Sequence, residues 1–243
     1  MTNDVQILNN GYPMPAVGLG VYKIADEQME EVVRTALDAG YRAFDTAYFY
    51  GNEKALGSAL KHSNVERDEL FITSKLWNDY QGYDQTIEYF NKSLDNLGLD
   101  YLDLFLIHWP CENDQLYIES YKALEHLYEE GKIKAIGVCN FKIHHLEKLM
   151  KETKITPQVN QIELHPYFNQ QDVQDFCDEH DIKVTAWMPL MRNKGLLDDP
   201  VITDIAHRYD KTPAQIVLRW HLAHNRIIIP KSQTPKRIKE NFD

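Results

Sequence analysis

The chain has 243 residues, 43% of them hydrophobic, with a formal net charge of −11. That composition suits one domain with a large core and excludes a disordered chain, and no apolar stretch approaches the ~20 residues of a membrane span. The acid excess argues against nucleic acid or an anionic lipid surface as partner, although a local basic cluster can still bind a small anion.

In chain order, Val5–Leu8 and Met14–Val17 flank Asn9-Asn10-Gly11-Tyr12-Pro13, which reads as a small hairpin. A first apolar run, Ala16–Tyr22, precedes a helix over about Glu27–Ala39, whose stripe of Met29, Val32, Val33, Ala36 and Leu37 stops at Gly40. Seven more runs follow: Arg42–Asp45, Leu70–Lys75, Tyr101–His108, Ala135–Asn140, Val159–His165, Lys183–Trp187 and Arg226–Lys231. Helical patterns lie between them, such as Ile87, Phe90, Leu94 and Leu97 before Gly98, and Tyr121, Leu124, Leu127 and Tyr128 before Gly131. Thr212-Pro213 and Thr234-Pro235 each set a cap residue before a proline suited to a first helical turn, and the second of these opens a last helix, Pro235–Phe242.

Strands alternating with helices indicate a parallel sheet covered on both faces. Eight of them predict a closed (β/α)8 TIM barrel, one domain over residues 1–243, with the hairpin closing its floor. Met1–Asn10 has no basic-then-apolar signal pattern, and Cys111, Cys139 and Cys177 are odd in number and widely spaced, without zinc spacing. The expectation is a cytoplasmic monomer with no metal.

In such a barrel the active site lies at the C-terminal rim. Asp45, Lys75 and His108 end three consecutive runs, and Tyr50 follows Asp45 in the next loop. Each has a purely structural reading: an Asp–Lys ion pair, a rim tyrosine, a hydrogen-bonded core histidine. Together they form a proton-transfer set. A buried lysine needs a partner, so an Asp45–Lys75 pair is expected. The ammonium is expected to lower the Tyr50 pKa from about 10, making it a proton donor near neutral pH. Neutral His108 then orients the same oxygen. Such a site protonates a developing alkoxide, which suits carbonyl reduction.

Phe44-Asp45-Thr46-Ala47-Tyr48-Phe49-Tyr50-Gly51-Asn52-Glu53 resembles the first signature of the aldo-keto reductase family. Leu106-Ile107-His108-Trp109-Pro110, Gly137-Val138-Cys139-Asn140-Phe141, Val159-Asn160-Gln161 and Ile229-Pro230-Lys231-Ser232 follow its pattern, in order, from about Val5 to the last residue. The resemblance implies a barrel that binds NADPH without a Rossmann glycine loop, and Gly18-Leu19-Gly20 is indeed too short to be one. It implies Tyr50 as general acid, tuned by Asp45 and Lys75, with His108 placing the carbonyl of a small-molecule substrate. Asn140 and Gln161 match the residues that hold the nicotinamide carboxamide, and Trp187 matches an aromatic ring stacked on the nicotinamide. Tryptophan there is similar to a bacterial branch that includes 2,5-diketogluconate reductases. Cys139 stands where serine is usual. Met188 replaces serine or glycine and loses a side-chain contact to the pyrophosphate, leaving backbone amides around Leu190. Lys231, Ser232, Thr234 and Arg237 match the site of the adenosine 2′-phosphate, and Glu240 and Asn241 match adenine contacts.

Tyr22, Phe49, Trp77 and Trp109, beside His108, read as an apolar funnel for substrate, or else as packing at the barrel mouth. Relatives continue past the final helix into a tail over the mouth, so ending at Asp243 leaves that tail missing or unseen and substrate identity open. Two other classes fit less well: a metal-dependent hydrolase using His108, Glu163 and His165, and a non-catalytic nicotinamide redox sensor.

Overall fold

The computed structural model describes residues 4–243. A two-stranded antiparallel hairpin comes first, β1 (Val5–Ile7) and β2 (Pro13–Pro15), with Gln6 opposite Met14. There follow β3 (Gly18–Gly20), α1 (Asp26–Ala39), β4 (Ala43–Asp45), α2 (Glu53–Lys61), β5 (Phe71–Leu76), α3 (Tyr83–Leu97), β6 (Leu102–Ile107) and α4 (Asp114–Glu129). The second half runs β7 (Ile133–Cys139), α5 (Ile143–Glu152), β8 (Val159–Glu163), α6 (Gln171–Glu179), β9 (Lys183–Trp187), α7 (Pro200–Tyr209), α8 (Pro213–Ala223), β10 (Ile227–Ile228) and α9 (Pro235–Phe242).

Strands β3 to β10 pair in sequence order, all parallel. The two outer strands meet: Val17 and Ile228 form a parallel bridge, Ile228 N–H donates to Ala16 O at 2.9 Å, and Gly20 N–H donates to Pro230 O at 3.2 Å. The sheet is the expected eight-stranded barrel; six strands lie inside their expected runs, while β5 continues one residue further, to Leu76, and β7 begins two residues earlier, at Ile133.

Two apolar layers explain why the sequence closes this way. One lies between strands and helices; α1 sets Met29, Val32, Val33, Ala36 and Leu37 into it and stops at Gly40, whose left-handed φ of 109° suits a residue without a Cβ. The other fills the barrel interior, where Leu8 and Met14 of the hairpin region join Ala43, Phe71, Leu104, Leu106 and Val159. The hairpin is the floor plug. Close strand approach also demands Gly137, where an added Cβ would meet Val159 O at 2.4 Å. Thr212 caps α8 through a reciprocal pair with Gln215, as expected. Thr234 differs. Its hydroxyl caps nothing, and its N–H donates to Ser232 Oγ at 3.1 Å, so the turn before α9 is held by the serine instead. Among the described residues no helix is long and apolar enough to cross a membrane.

Candidate active site

Three barrel strands deliver the candidate catalytic corner. Asp45 closes β4, Lys75 lies one residue from the end of β5, and His108 directly follows β6. Lys75 is completely buried and hydrogen-bonds Asp45 Oδ1 and, at 2.8 Å, Thr46 O. The other carboxylate oxygen, Oδ2, accepts from Gln161 Nε2 at 2.8 Å. The expected ion pair is therefore present and has a third member. Tyr50 ends a 3-10 turn, Tyr48–Tyr50, that Gly51 closes with φ 71°, and its ring centroid stands 5.3 Å from Lys75 Nζ. The Tyr50 and His108 rings meet edge-on at 5.8 Å, and Trp77 meets His108 at 5.2 Å.

The electrostatics correct one expectation. Burial raises the Tyr50 pKa to about 12, outweighing the Lys75 charge that pulls it down. Tyr50 is thus a firmly protonated phenol at neutral pH. Burial alone works against the Lys75 proton, but Asp45 and Tyr50 hold the ammonium well above its ordinary range. Burial, helped by Lys75, depresses His108 to about 3, so the imidazole is neutral as expected. The Cys139 thiol, fully buried under the corner, is pushed up and stays protonated.

These groups form one end of a cavity of about 800 Å³. Every site residue expected from the sequence lines it except Lys75, which lies beneath Asp45 and Tyr50. Along one side, Phe49 stacks on Trp77 at 3.9 Å, Tyr22 tilts against Tyr50 at 4.8 Å, and Trp109 stands 6.4 Å from Trp187. At the centre, Trp187 Nε1 donates to Asn140 Oδ1 at 2.8 Å and Asn140 Nδ2 donates to His108 O at 3.0 Å. Among the described residues Gln161 Oε1 has no hydrogen-bond partner. At the far end, Lys231, Ser232 and Thr234 lead into α9, where Arg237, Glu240 and Asn241 complete the wall.

Sequence reasoning missed several residues here. Asn52 is buried and clamps the corner: Nδ2 donates to Val21 O at 2.9 Å and Ile24 O at 3.2 Å, while Oδ1 accepts from Thr46 Oγ1 at 3.3 Å. It thereby ties the Tyr50 turn to the loop carrying Tyr22. Its only signal was membership of the quoted Gly51-Asn52-Glu53 motif. Lys23 and Arg192 also line the cavity. The hydrolase alternative finds no support in geometry: His165 pairs with Glu163 at 3.3 Å, and among the described residues no group of three or more His, Cys, Asp or Glu is placed to hold a metal.

The sequence model of the Aldo/keto reductase family matches residues 16–243. Glyoxal reductase of Bacillus subtilis (strain 168) is 49% identical over 241 residues, covering 99% of this chain and 86% of that protein. Methylglyoxal reductase DkgA of Escherichia coli (strain K12) is 49% identical over 237 residues, covering 97% and 86%. A solved variant of Gox0644, in complex with NADPH, superposes with a TM-score of 0.95 at 43% identity, covering 100% of this chain and 88% of that one.

Proposed function

The chain belongs to the Aldo/keto reductase family, and from that premise we propose that it reduces aldehyde and ketone carbonyls to alcohols with NADPH. The observation that carries the reading is one juxtaposition: a buried phenol, a neutral imidazole and a lysine–aspartate pair meet at the end of a cavity of about 800 Å³ that reaches the start of α9. The relatives named glyoxal reductase and methylglyoxal reductase support small dicarbonyl compounds as substrates.

The cavity's donors fit the cofactor. Gln161 offers its amide oxygen and Asn140 a second N–H for a carboxamide. Trp187 offers a flat ring beside them. The start of α9, with its dipole and the cations Lys231 and Arg237, suits a phosphate. When bound, the nicotinamide supplies a hydride. The protein does the rest. His108, neutral, donates a hydrogen bond that orients the carbonyl oxygen, and Tyr50 Oη delivers its proton to that oxygen as negative charge grows there. The Lys75 ammonium, fixed by Asp45, stabilises the phenolate that proton donation leaves behind. Phe49, Trp77 and Trp109 keep water from the reacting carbon.

Oxidation of NADPH across glyoxal, methylglyoxal, simple aldehydes and keto-sugars tests the reading. Turnover on dicarbonyls that disappears in Tyr50→Phe is expected. Absence of turnover on every carbonyl, with dinucleotide still bound, would point to a redox sensor instead. The Lys231 and Arg237 cluster supports preference for NADPH over NADH.

A further inference from the structure

Two tryptophans flank His108 at the cavity mouth, and they come from different loops. Trp77 directly follows β5, and Trp109 directly follows His108. Trp77 is held through its ring, by Phe49 at 3.9 Å and His108 at 5.2 Å. Trp109 is held less. It is 40% exposed, and among the described residues the one aromatic contact of its ring is Trp187 at 6.4 Å. Its main chain has equally little support. The His108 N–H donates to Leu76 O at 3.0 Å, but Pro110 has no N–H to give. Among the described residues a single hydrogen bond reaches the backbone of residues 109–112: Gln81 Nε2 donates to Trp109 O at 2.7 Å.

We propose that Gln81 is a positioning residue for substrate, anchoring Trp109 opposite Trp77 and so fixing the mouth through which a carbonyl reaches Tyr50 and His108. The inference deepens the reductase reading above and rests on it. Gln81 stands outside the cavity wall and is only 5% exposed. It ends the turn that Trp77 opens, where Tyr80 N–H donates to Trp77 O at 3.1 Å and Gln81 N–H to Asn78 O at 3.2 Å. The far side of this turn is bonded too. Gly82 N–H donates to Ser120 Oγ at 2.8 Å, and Ser120 Oγ donates to Leu116 O at 2.9 Å within α4. Gln81 therefore reaches Trp109 from a base that is bonded on both sides.

The amide carries a cost where it sits. Its Oε1 is buried with no hydrogen-bond partner among the described residues, and an unpaired buried acceptor destabilises the fold. An apolar side chain of similar shape would avoid that cost, so packing alone does not call for an amide here. What the amide adds is an N–H, and that N–H goes to Trp109. A carbonyl can only accept, which fixes Nε2 rather than Oε1 against Trp109 O. A half-exposed ring set in place before substrate arrives loses less freedom on binding, so its anchor acts on affinity rather than on the chemical step.

The test compares wild type with Gln81→Met and Gln81→Leu, neither of which can donate to Trp109 O. Both should raise KM for methylglyoxal about five- to tenfold, the worth of one hydrogen bond, while kcat stays within about twofold. NADP+ affinity, read by fluorescence titration, should not change. Trp109→Ala should raise KM by itself, and adding Gln81→Met to it should do nothing more, because the anchor then holds no ring. Hydrogen exchange over residues 109–116 should be faster in Gln81→Met than in wild type. Exchange at the wild-type rate, an unaltered KM, or additive effects in the double variant would each overturn the anchor and leave the reductase reading intact. So would a joint loss of kcat and NADP+ affinity, which reports a general disturbance of the barrel. A wild type with no turnover on any carbonyl overturns the reductase reading and the substrate role of Gln81 with it.

Discussion

The two ends of the cavity are built on opposite principles. At the catalytic end, Asp45, Lys75 and His108 are buried, and the lysine and aspartate are bonded before any substrate arrives. At the other end Arg192, Lys231 and Arg237 are exposed. Chemistry needs groups that do not reorganise as charge develops, so the protein sets them in place on folding. A charged ligand brings its own counter-charge, so its partners can wait in water without the penalty of burial. Mutations at the first end should therefore disturb folding and rate together. Mutations at the second should change affinity and little else.

The largest effect is expected from Lys75→Met, which strands the Asp45 carboxylate. Breaking a buried pair destabilises by roughly 3–5 kcal/mol, visible in urea unfolding, and reduction should be almost abolished. A stable, active Lys75→Met protein would place the buried end under the same rules as the exposed end. Tyr50→Phe sharpens the contrast from the other direction. It removes only the proton, so kcat should fall ~10²–10⁴-fold while NADPH affinity in titration stays near wild type.

Next comes pH. His108 is depressed to about 3 in the folded protein against an ordinary 6.5. Between those values the unfolded chain binds the proton and the folded chain does not, so stability should fall as pH drops from about 6.5 toward 3. His108→Gln should flatten that slope in thermal melts across this range, and an unaltered slope would mean that His108 is not held neutral. The sign is opposite for Tyr50. With its pKa raised to about 12, the folded state keeps a proton that the unfolded chain loses above about 10, so this group lowers stability between those values. The alkaline limb of kcat/KM should lie well above pH 10.

Asn52→Ala leaves the Ile24 carbonyl without its donor and the Val21 carbonyl with only the Ile24 N–H, costing about 1–3 kcal/mol. Because the clamp holds the Tyr22 loop against the Tyr50 turn, KM for carbonyl substrate should rise more than kcat falls. At the exposed end, truncating Lys231 and Arg237 together should raise KM for NADPH strongly, that for NADH little, and leave the melting temperature in place. A melting temperature lowered as far as in Lys75→Met would erase the distinction between the two ends.

Much of this was legible in the residues themselves. Strand number and order follow from eight apolar runs, each bounded by turn-formers, and the stop of α1 at Gly40 follows from glycine's freedom at positive φ. The catalytic corner was legible because strand ends in a parallel barrel converge on one rim, so Asp45, Lys75 and His108 needed only their positions in the runs. What tertiary structure alone decided were quantities that depend on depth and on distant partners. Whether Lys75 or burial wins at Tyr50 is a contest between one charge and the desolvation of a phenol, and no residue spacing reports desolvation. Asn52 spends its amide on carbonyls 31 and 28 residues away, bonds that come into being only when the first two barrel strands lie side by side. Arg192 belongs to none of the sequence motifs. It shares a cavity with Arg237 only because strand pairing brings the last two loops of the barrel to the same rim.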